Sequence, residues 1–315
     1  DNDGILDVDD EFPLSALNAH RLLLASASGS DHICAITSVG VQCWGGDNAT
    51  FYNNYGQLTV PNLVNPYQIS TQGYHNCALD ETGVHCWGDN SNGESSVPSM
   101  IDPMFVSAGY GHTCAIDRLS GGKSVICWGT NYSGQTNVPS LTNPKWVSSG
   151  QEFTCAFDDT GVNCWGGNSH DQTNVPPLQN PVALASGAFH ACAIDSTSSG
   201  NEVICWGSST CQNPNGGSYC ATNLPYIPYT SVPAEVVNPT QISSGVWHSC
   251  ALHDGGVSCW GREGFTTVPT GLNDPIYVSA GETGTCVIDR EISGDGVLKC
   301  SSHLTTPSGI TFDLD

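Results

Sequence analysis

Positive charge is what this sequence has least of. Its 315 residues carry 7 Lys and Arg against 30 Asp and Glu, a formal charge of -23 at pH 7. A field of that sign repels phosphate backbones and anionic headgroups at long range, so nucleic acid is excluded as a partner class. Long apolar runs are also lacking. The longest near the start, Leu22-Leu23-Leu24-Ala25, is far below the roughly 18 residues of a membrane-spanning helix, and no direct insertion into a bilayer is expected. No amphipathic helical period separates the β-like stretches, so almost no helix is expected. No initiating Met or charged-then-apolar leader precedes Asp1, which falls inside an acidic motif; the chain is expected to be an excerpt of a longer surface protein. Met occurs twice, whereas Cys occurs 16 times. So many thiols, in even number, persist as disulfides in an oxidising compartment, and the protein is expected to be secreted or at a cell surface.

The cysteines mark a repeat. Seven segments begin Cys-Ala or Cys-Val, at Cys34, Cys77, Cys114, Cys155, Cys192, Cys250 and Cys286, and each is followed by a second cysteine, at Cys43, Cys86, Cys127, Cys164, Cys205, Cys259 and Cys300. Six of the second cysteines continue as Cys-Trp-Gly; the last reads Cys300-Ser301-Ser302, the atypical terminal copy of a capped or closed array. First cysteines lie 36 to 43 residues apart, except for one gap of 58 that holds an insertion.

Between the cysteines the pattern is strand, turn, strand: His75 to Leu79, then Asp80-Glu81-Thr82-Gly83, then Val84 to Trp87. With the turn at Asp80–Gly83, Leu79 lies opposite Val84 and Cys77 opposite Cys86, with Cβ atoms ~4.5 Å apart, near the range of a disulfide. One intra-hairpin disulfide per copy follows. Two copies, Cys114 to Cys127 and Cys192 to Cys205, add four residues between the cysteines. An even number keeps both thiols on one sheet face. Cys286 to Cys300 is one residue out of step and predicts a β-bulge. Cys211 and Cys220, inside the insertion, are expected to close a local loop. Upstream of each hairpin runs a further β-like stretch ending in Ser/Ala-Gly, such as Phe105 to Gly109, preceded by Val-Pro and Asn-Pro loop signals. Three or four strands per ~40 residues, seven times over, predict an all-β, seven-bladed β-propeller over residues 14–315.

Gly109-Tyr110-Gly111-His112-Thr113-Cys114-Ala115-Ile116, with Cys127-Trp128-Gly129-Thr130-Asn131-Tyr132-Ser133-Gly134-Gln135, resembles the repeat of the regulator of chromosome condensation, a family of seven-bladed propellers. The resemblance covers roughly residues 20 to 310. The continuation Thr136-Asn137-Val138-Pro139 is similar to the bacterial secreted branch, which includes a propeller that inhibits β-lactamases. The nuclear member's nucleotide exchange and chromatin binding do not carry over, because this chain departs in acidity, paired cysteines and expected compartment; nor does the inhibitor's target. Residues 1–13, Asp1-Asn2-Asp3-Gly4-Ile5-Leu6-Asp7-Val8-Asp9-Asp10-Glu11-Phe12-Pro13, are similar to part of a thrombospondin type 3 calcium repeat. Closely spaced Asp around a turn-forming Gly suits Ca²⁺, a hard cation taking several oxygen ligands, with Asp1, Asp3, Asp7 and Asp10 as candidates; a solvated acidic linker is the alternative.

The recurring His-x-Cys could suggest a transition-metal site, but each His occupies the same place in its own copy and each Cys has a partner, so packing or turn hydrogen bonding is expected. The repeated Trp is read as filler between blades, opposite the small Ala78-type position of a neighbour, and not as a carbohydrate platform. Recognition is expected where the repeat is broken: Phe51, Tyr52 and Tyr55 in the first copy, and Tyr219, Tyr226 and Tyr229 in the insertion. No Gly-x-Ser-x-Gly motif occurs, and the Gly-rich turns precede strands and not helices, so no enzyme is expected. The expected function is a non-catalytic binding or adhesion module facing a protein or glycan. The alternative is a structural subunit that self-associates through a calcium-set linker, and further behind stand an enzyme inhibitor and a hydrolase. Calorimetric titration of the full chain with Ca²⁺ should show a site that Asp3→Asn with Asp7→Asn abolishes; heats equal to buffer would leave the segment a plain linker.

Overall fold

The computed structural model describes residues 26–27, 32–37, 39–45, 55–207, 229–282, 284–290, 296–301 and 311–312. Every regular element among them is a β-strand, and the strands form seven antiparallel sheets, the blades of a propeller. Blade 1 holds β1 (Ser26–Ala27), β2 (His32–Thr37) and β3 (Gly40–Gly45); blade 2 holds β4 (Gln68–Gln72), β5 (His75–Asp80) and β6 (Gly83–Gly88). Blade 3 holds β7 (Pro103–Ala108), β8 (His112–Leu119) and β9 (Gly122–Gly129); blade 4 holds β10 (Trp146–Ser149), β11 (Phe153–Asp158) and β12 (Gly161–Gly166). Blade 5 holds β13 (Pro181–Ser186), β14 (His190–Thr197) and β15 (Gly200–Gly207); blade 6 holds β16 (Gln241–Ser244), β17 (His248–His253) and β18 (Gly256–Gly261). Blade 7 holds β19 (Pro275–Ala280), β20 (Thr285–Arg290), β21 (Gly296–Cys300) and a fourth strand, β22 (Thr311–Phe312).

The hairpin register is the one the spacing predicts. Leu79 faces Val84 and Cys77 faces Cys86. The seven pairs Cys34–Cys43, Cys77–Cys86, Cys114–Cys127, Cys155–Cys164, Cys192–Cys205, Cys250–Cys259 and Cys286–Cys300 are all disulfides, with Cα atoms 4.0 to 4.1 Å apart. In blade 3 the four added residues form two further pairs, Arg118 with Lys123 and Leu119 with Gly122, so the thiols stay on one face. Blade 7 corrects one expectation. Its ladder runs without a shift from Cys286–Cys300 to Arg290–Gly296, so the odd residue is taken up between 290 and 296 and not by a bulge. A turn absorbs an extra residue at no cost to pairing, whereas a bulge would unpair one inside a buried strand. The shifts that do occur follow Pro103, Pro181 and Pro275 at the start of inner strands, where proline has no N–H to give the ladder. Cys211, Cys220 and the calcium candidates lie outside the described residues.

The core sits between blades. Phe105, Cys114, Ile116 and Val125 of blade 3 pack with Val147 and Ala156 of blade 4, with Trp165 against them. Ala185, Cys192 and Ile194 of blade 5 pack with Ile242, Ala251 and Trp260 of blade 6. One cluster joins Cys286, Ile288 and Leu298 of blade 7 to Ile33 and Ile36 of blade 1 and Ile69 of blade 2, so the ring closes by end-to-end packing. β1 pairs with β2 of its own blade. Middle strands are sandwiched: β2, β5 and β11 are buried at every position.

A strand with no solvent face must satisfy its polar side chains internally. It does so in the next blade. His75 Nε2 lies 2.7 Å from Thr113 Oγ1, and Thr113 Oγ1 donates to the Glu94 carbonyl at 2.9 Å, which also accepts Trp128 Nε1 at 2.9 Å. The Thr113 proton is thus spent, and His75 must donate. His112 repeats this with Thr154, the Gln135 carbonyl and Trp165; His32 does so with Asn76, the Gln57 carbonyl and Trp87. His190 meets Ser249 and His248 meets Thr285, each at 2.8 Å. Two interfaces lack the bond: Phe153 stands in the histidine position of blade 4 and Ala191 in the hydroxyl position of blade 5, packed in one cluster. At the seam Gly284 and Ile33 occupy these places.

Donation from Nε2 leaves Nδ1 bare, and in His75, His112, His190 and His248 it is buried without a hydrogen-bond partner. Burial pushes these rings down from the ordinary 6.5, to about 4 in His75 and His190 and about 3 in His112 and His248. Inner strands carry a second set of blade-to-blade bonds. Ser107 Oγ accepts Ser149 N, and Ser149 Oγ donates to the Ser107 carbonyl; Ser148 and Ser186 repeat the pattern. The glycine just past the inner strand lets the strands converge: a Cβ on Gly109 would fall 2.7 Å from the Gly150 carbonyl oxygen and 2.7 Å from His112 Cε1. At the hairpin end, Asp80 accepts Val64 N at 2.7 Å and Asp158 accepts Thr142 N at 2.6 Å, fixing the linkers that enter blades 2 and 4. Burial works to raise both carboxyls, but these backbone donors and the hydroxyls of Thr82 and Thr160 outweigh it and leave them below the ordinary 3.8.

Two outcomes follow. Thr154→Ala orphans His112 Nε2 and should cost about 1–3 kcal/mol, whereas adding His112→Phe, which copies the Phe153/Ala191 interface, should recover part of that loss in a double-mutant cycle of urea unfolding; strict additivity would deny the coupling. Second, the unfolded chain takes up protons on these histidines below pH 6.5 while the folded chain refuses them until about 4 or 3. Stability should therefore be level above pH 6.5 and fall as pH drops from there, by on the order of 1 kcal/mol per pH unit per histidine. The carboxylate contribution, present above about 3.8, is lost only below it. Unfolding free energies flat from pH 7 down to 4.5 would contradict the histidine contribution.

Candidate recognition face

Inner strands turn into middle strands on one face of the propeller, and the loops that follow Cys-Trp-Gly in blades 2, 3, 4 and 6 run over the same face. Backbone bonds tie the two together: Asp89 N to the Tyr74 carbonyl, Thr130 N to Gly111, Gly167 N to Glu152 and Arg262 N to Trp247, all at 2.8 to 2.9 Å. The next few residues form a turn closed by its own side chain. Gln135 Oε1 accepts Ser133 N, Gln172 Oε1 accepts His170 N and Glu94 Oε2 accepts Asn92 N. These plug residues are buried, and their carbonyls receive the tryptophans of the next blade.

Aromatic side chains gather on this face in two groups. Tyr55 and Tyr74 have ring centroids 5.3 Å apart, and Tyr74 and Tyr110 6.3 Å. Burial, then the charges of Tyr74 and Glu282, push the Tyr110 phenol up to about 12, so it remains a neutral donor at every physiological pH. In the second group His170 and Phe189 are 4.6 Å apart and Phe189 and Trp247 6.2 Å, while Arg262 sits over the Trp247 ring at 5.0 Å and the Phe265 ring at 5.4 Å. The opposite, hairpin face is different in kind. Its cations are paired with carboxylates: Arg118 with Asp102, Lys145 with Asp159 and Arg290 with Asp274. Lys299 bonds the buried Asp289 carboxylate at 2.6 Å.

Of the residues expected to form the recognition surface, Tyr55 is on this face and 42% exposed. Phe51, Tyr52, Tyr219 and Tyr226 lie outside the described residues. Tyr229 is a correction: it is 5% exposed, its carbonyl accepts Trp260 Nε1 at 3.1 Å, and its ring stacks on His190 at 5.5 Å. The chain returns from the insertion with Tyr229 in the plug position that Gln57, Gln135 and Gln172 fill elsewhere, and blade closure draws it inside. Sequence reasoning did not find Tyr74, Tyr110, Phe189, Trp247 or Arg262. One signal was available: Trp146 and Trp247 are the two tryptophans outside Cys-Trp-Gly. Trp146 Nε1 donates to the Leu184 carbonyl at the lining of an axial cavity of about 220 Å³. That cavity offers little to a ligand, since the Ser107, Ser148 and Gln68 side chains around it already bond the next blade. Among the described residues no group of His, Cys, Asp and Glu could hold a metal ion.

Residues 68–94, which span blade 2, match the Regulator of chromosome condensation (RCC1) repeat. Among curated protein sequences none matches the chain. Among solved structures it is similar to the ectodomain of the receptor kinase CR4 from Physcomitrella patens, at 25% identity and a TM-score of 0.64 over 91% of this chain and 76% of that one. It is also similar to the CRINKLY WD40 ectodomain of the receptor kinase ACR4 from Arabidopsis thaliana, at 24% identity and 0.63 over 93% and 100%. Prp20p from Saccharomyces cerevisiae, studied for its binding to Gsp1p and histones, is 16% identical with a TM-score of 0.60 over 89% and 82%. The fold is an RCC1-like propeller, shared with receptor ectodomains.

Proposed function

We propose that this protein is an extracellular, non-catalytic binding module that recognises a partner through its loop face. The observation that carries this reading is the distribution of departures from the repeat. Hydrophobic and hydrogen-bonding positions between blades recur from copy to copy, whereas the aromatic residues of the loop face differ from blade to blade and stand outside that repeated set of contacts. Side chains spared by the fold, on a rigid disulfide-stapled scaffold, are where recognition is placed at low entropic cost. The ectodomain likeness and the seven disulfides support an extracellular setting. Residues 1–13 are proposed as a calcium-set connection to a neighbouring unit.

The test uses the full chain as bait for extracellular proteins of the source organism, followed by reconstitution of each captured protein in purified form. Tyr55→Ser with Tyr74→Ser, on the loop face, should weaken the purified complex at least tenfold. Val64→Ser with Ile101→Ser, exposed positions on the hairpin face, should leave it unchanged. Loss confined to the hairpin-face variant, or assembly of the chain only with itself, would defeat the reading.

A further inference from the structure

Arg262 is held unlike four other described cations. Arg118, Lys145, Arg290 and Lys299 lie towards the hairpin side and each meets an Asp. Arg262 is on the loop face, and among the described residues no carboxylate pairs with it. Its guanidinium lies over Trp247 and Phe265, and its backbone is fixed at both ends, by Arg262 N to the Trp247 carbonyl at 2.8 Å and Phe265 N to the Arg262 carbonyl at 3.1 Å. Stacking engages the flat faces of a guanidinium and leaves its in-plane N–H fork as the reactive edge, pre-organised for a bidentate oxygen acceptor.

The repeat does not require these residues. Phe265 takes the plug position, but the following blade has Ser301 where the others have tryptophan, so its carbonyl has no indole to receive. Arg262 takes the place of Asp89 in blade 2, exchanging a negative for a positive side chain. In sequence, the stretch 208–228 between Gly207 and Tyr229 contains no Asp or Glu, in a protein with 30 of them.

Building on the binding-module reading, we propose that Arg262, braced by Trp247 and Phe265, is the anchor for a carboxylate side chain of a partner protein, presented between apolar residues that cover Phe189 and Phe265. Charge complementarity selects this occupant. In a protein of net charge -23, one fixed cation suits one carboxylate, while a polyanion would meet the summed repulsion of the whole chain. A sugar ring stacked on Trp247 is disfavoured, because Arg262 at 5.0 Å and Phe189 at 6.2 Å already occupy its surroundings.

The experiment presents the full chain with an array of N-acetylated, C-amidated nonapeptides carrying Asp or Glu, or the isosteres Asn or Gln, at the centre between varied apolar residues. Dissociation constants of the best sequences are then measured by fluorescence anisotropy. Acidic peptides should bind at least tenfold more tightly than their amide isosteres. Arg262→Gln should erase that preference, Arg262→Lys, which keeps the charge without the fork, should retain part of it, and Arg118→Gln on the other face should not alter it. Circular dichroism with unchanged melting establishes that each variant is folded. The proposal is overturned if no array peptide binds, if acid and amide bind equally, or if Arg262→Gln keeps the preference. Arg262-dependent binding of an oligogalacturonate probe in the absence of peptide binding would likewise overturn it, in favour of an acidic glycan. If Tyr55→Ser with Tyr74→Ser weakens the reconstituted partner complex but Arg262→Gln does not affect any acidic peptide, this inference falls and the binding-module reading stands.

Discussion

The histidine that reaches from one middle strand to a hydroxyl in the next blade sets the geometry on which the other contacts depend. Burial of Ile33, Ile116, Ile194 and Ile288 supplies more free energy, at about 1.5–3 kcal/mol for each large aliphatic side chain, but it has no direction. The hydrogen bond nets only about 1 kcal/mol and costs about 1–3 if either partner is orphaned. That asymmetry makes it a constraint on blade rotation and spacing. A blade turned slightly off its neighbour would keep most of its apolar contact and lose its polar pairing. The relay then extends outward: the same hydroxyl fixes the carbonyl of a loop, and that carbonyl fixes the tryptophan that seals the blade edge.

The exceptions obey the same rule. Where the histidine becomes Phe153, the hydroxyl becomes Ala191, so no polar atom is stranded and the larger ring is balanced by the smaller partner. At the seam the exchange runs the other way, Gly284 opposite Ile33. Replacing both members of a buried polar pair by apolar groups can be nearly neutral, whereas replacing one is not. Disulfides lie alongside this network and act on a different ensemble: each closes a hairpin loop, stabilising by roughly 2–3 kcal/mol mainly through the unfolded chain, without specifying how blades meet.

Much of this architecture was legible in the cysteines. Their separations of 9 and 13 fixed which residues oppose each other in a hairpin, and the ladders of Cys77–Cys86 and Cys114–Cys127 follow that register. What spacing could not reveal was anything between blades, because partners such as His75 and Thr113 are 38 residues apart and meet only when the ring is built. The same holds for Asp80 and Asp158, which read locally as turn residues and in fact cap a linker 16 residues upstream. Blade 7 misled for a related reason: a cysteine separation of 14, against 9 or 13 elsewhere, says that one residue must leave the register, but not whether strand or turn releases it. Tyr229 misled because an insertion hides the point where the repeat resumes.

That resumption point ties fold to recognition. Four blade junctions close with a Gln or Glu plug that completes its own turn, a residue economical in space and indifferent to solvent beyond it. The junctions after the insertion close with Tyr229 and Phe265 instead. An aromatic ring has no amide oxygen at the place where glutamine accepts the turn N–H. In exchange the ring offers a face: Tyr229 spends its own on His190, inside the wall, while Phe265 spends its own on Arg262, at the surface. One substitution pattern therefore yields a structural plug after blade 5 and an arginine cradle after blade 6, and the following blades differ in the same place: blade 6 supplies Trp260 to the Tyr229 carbonyl, whereas blade 7 has Ser301.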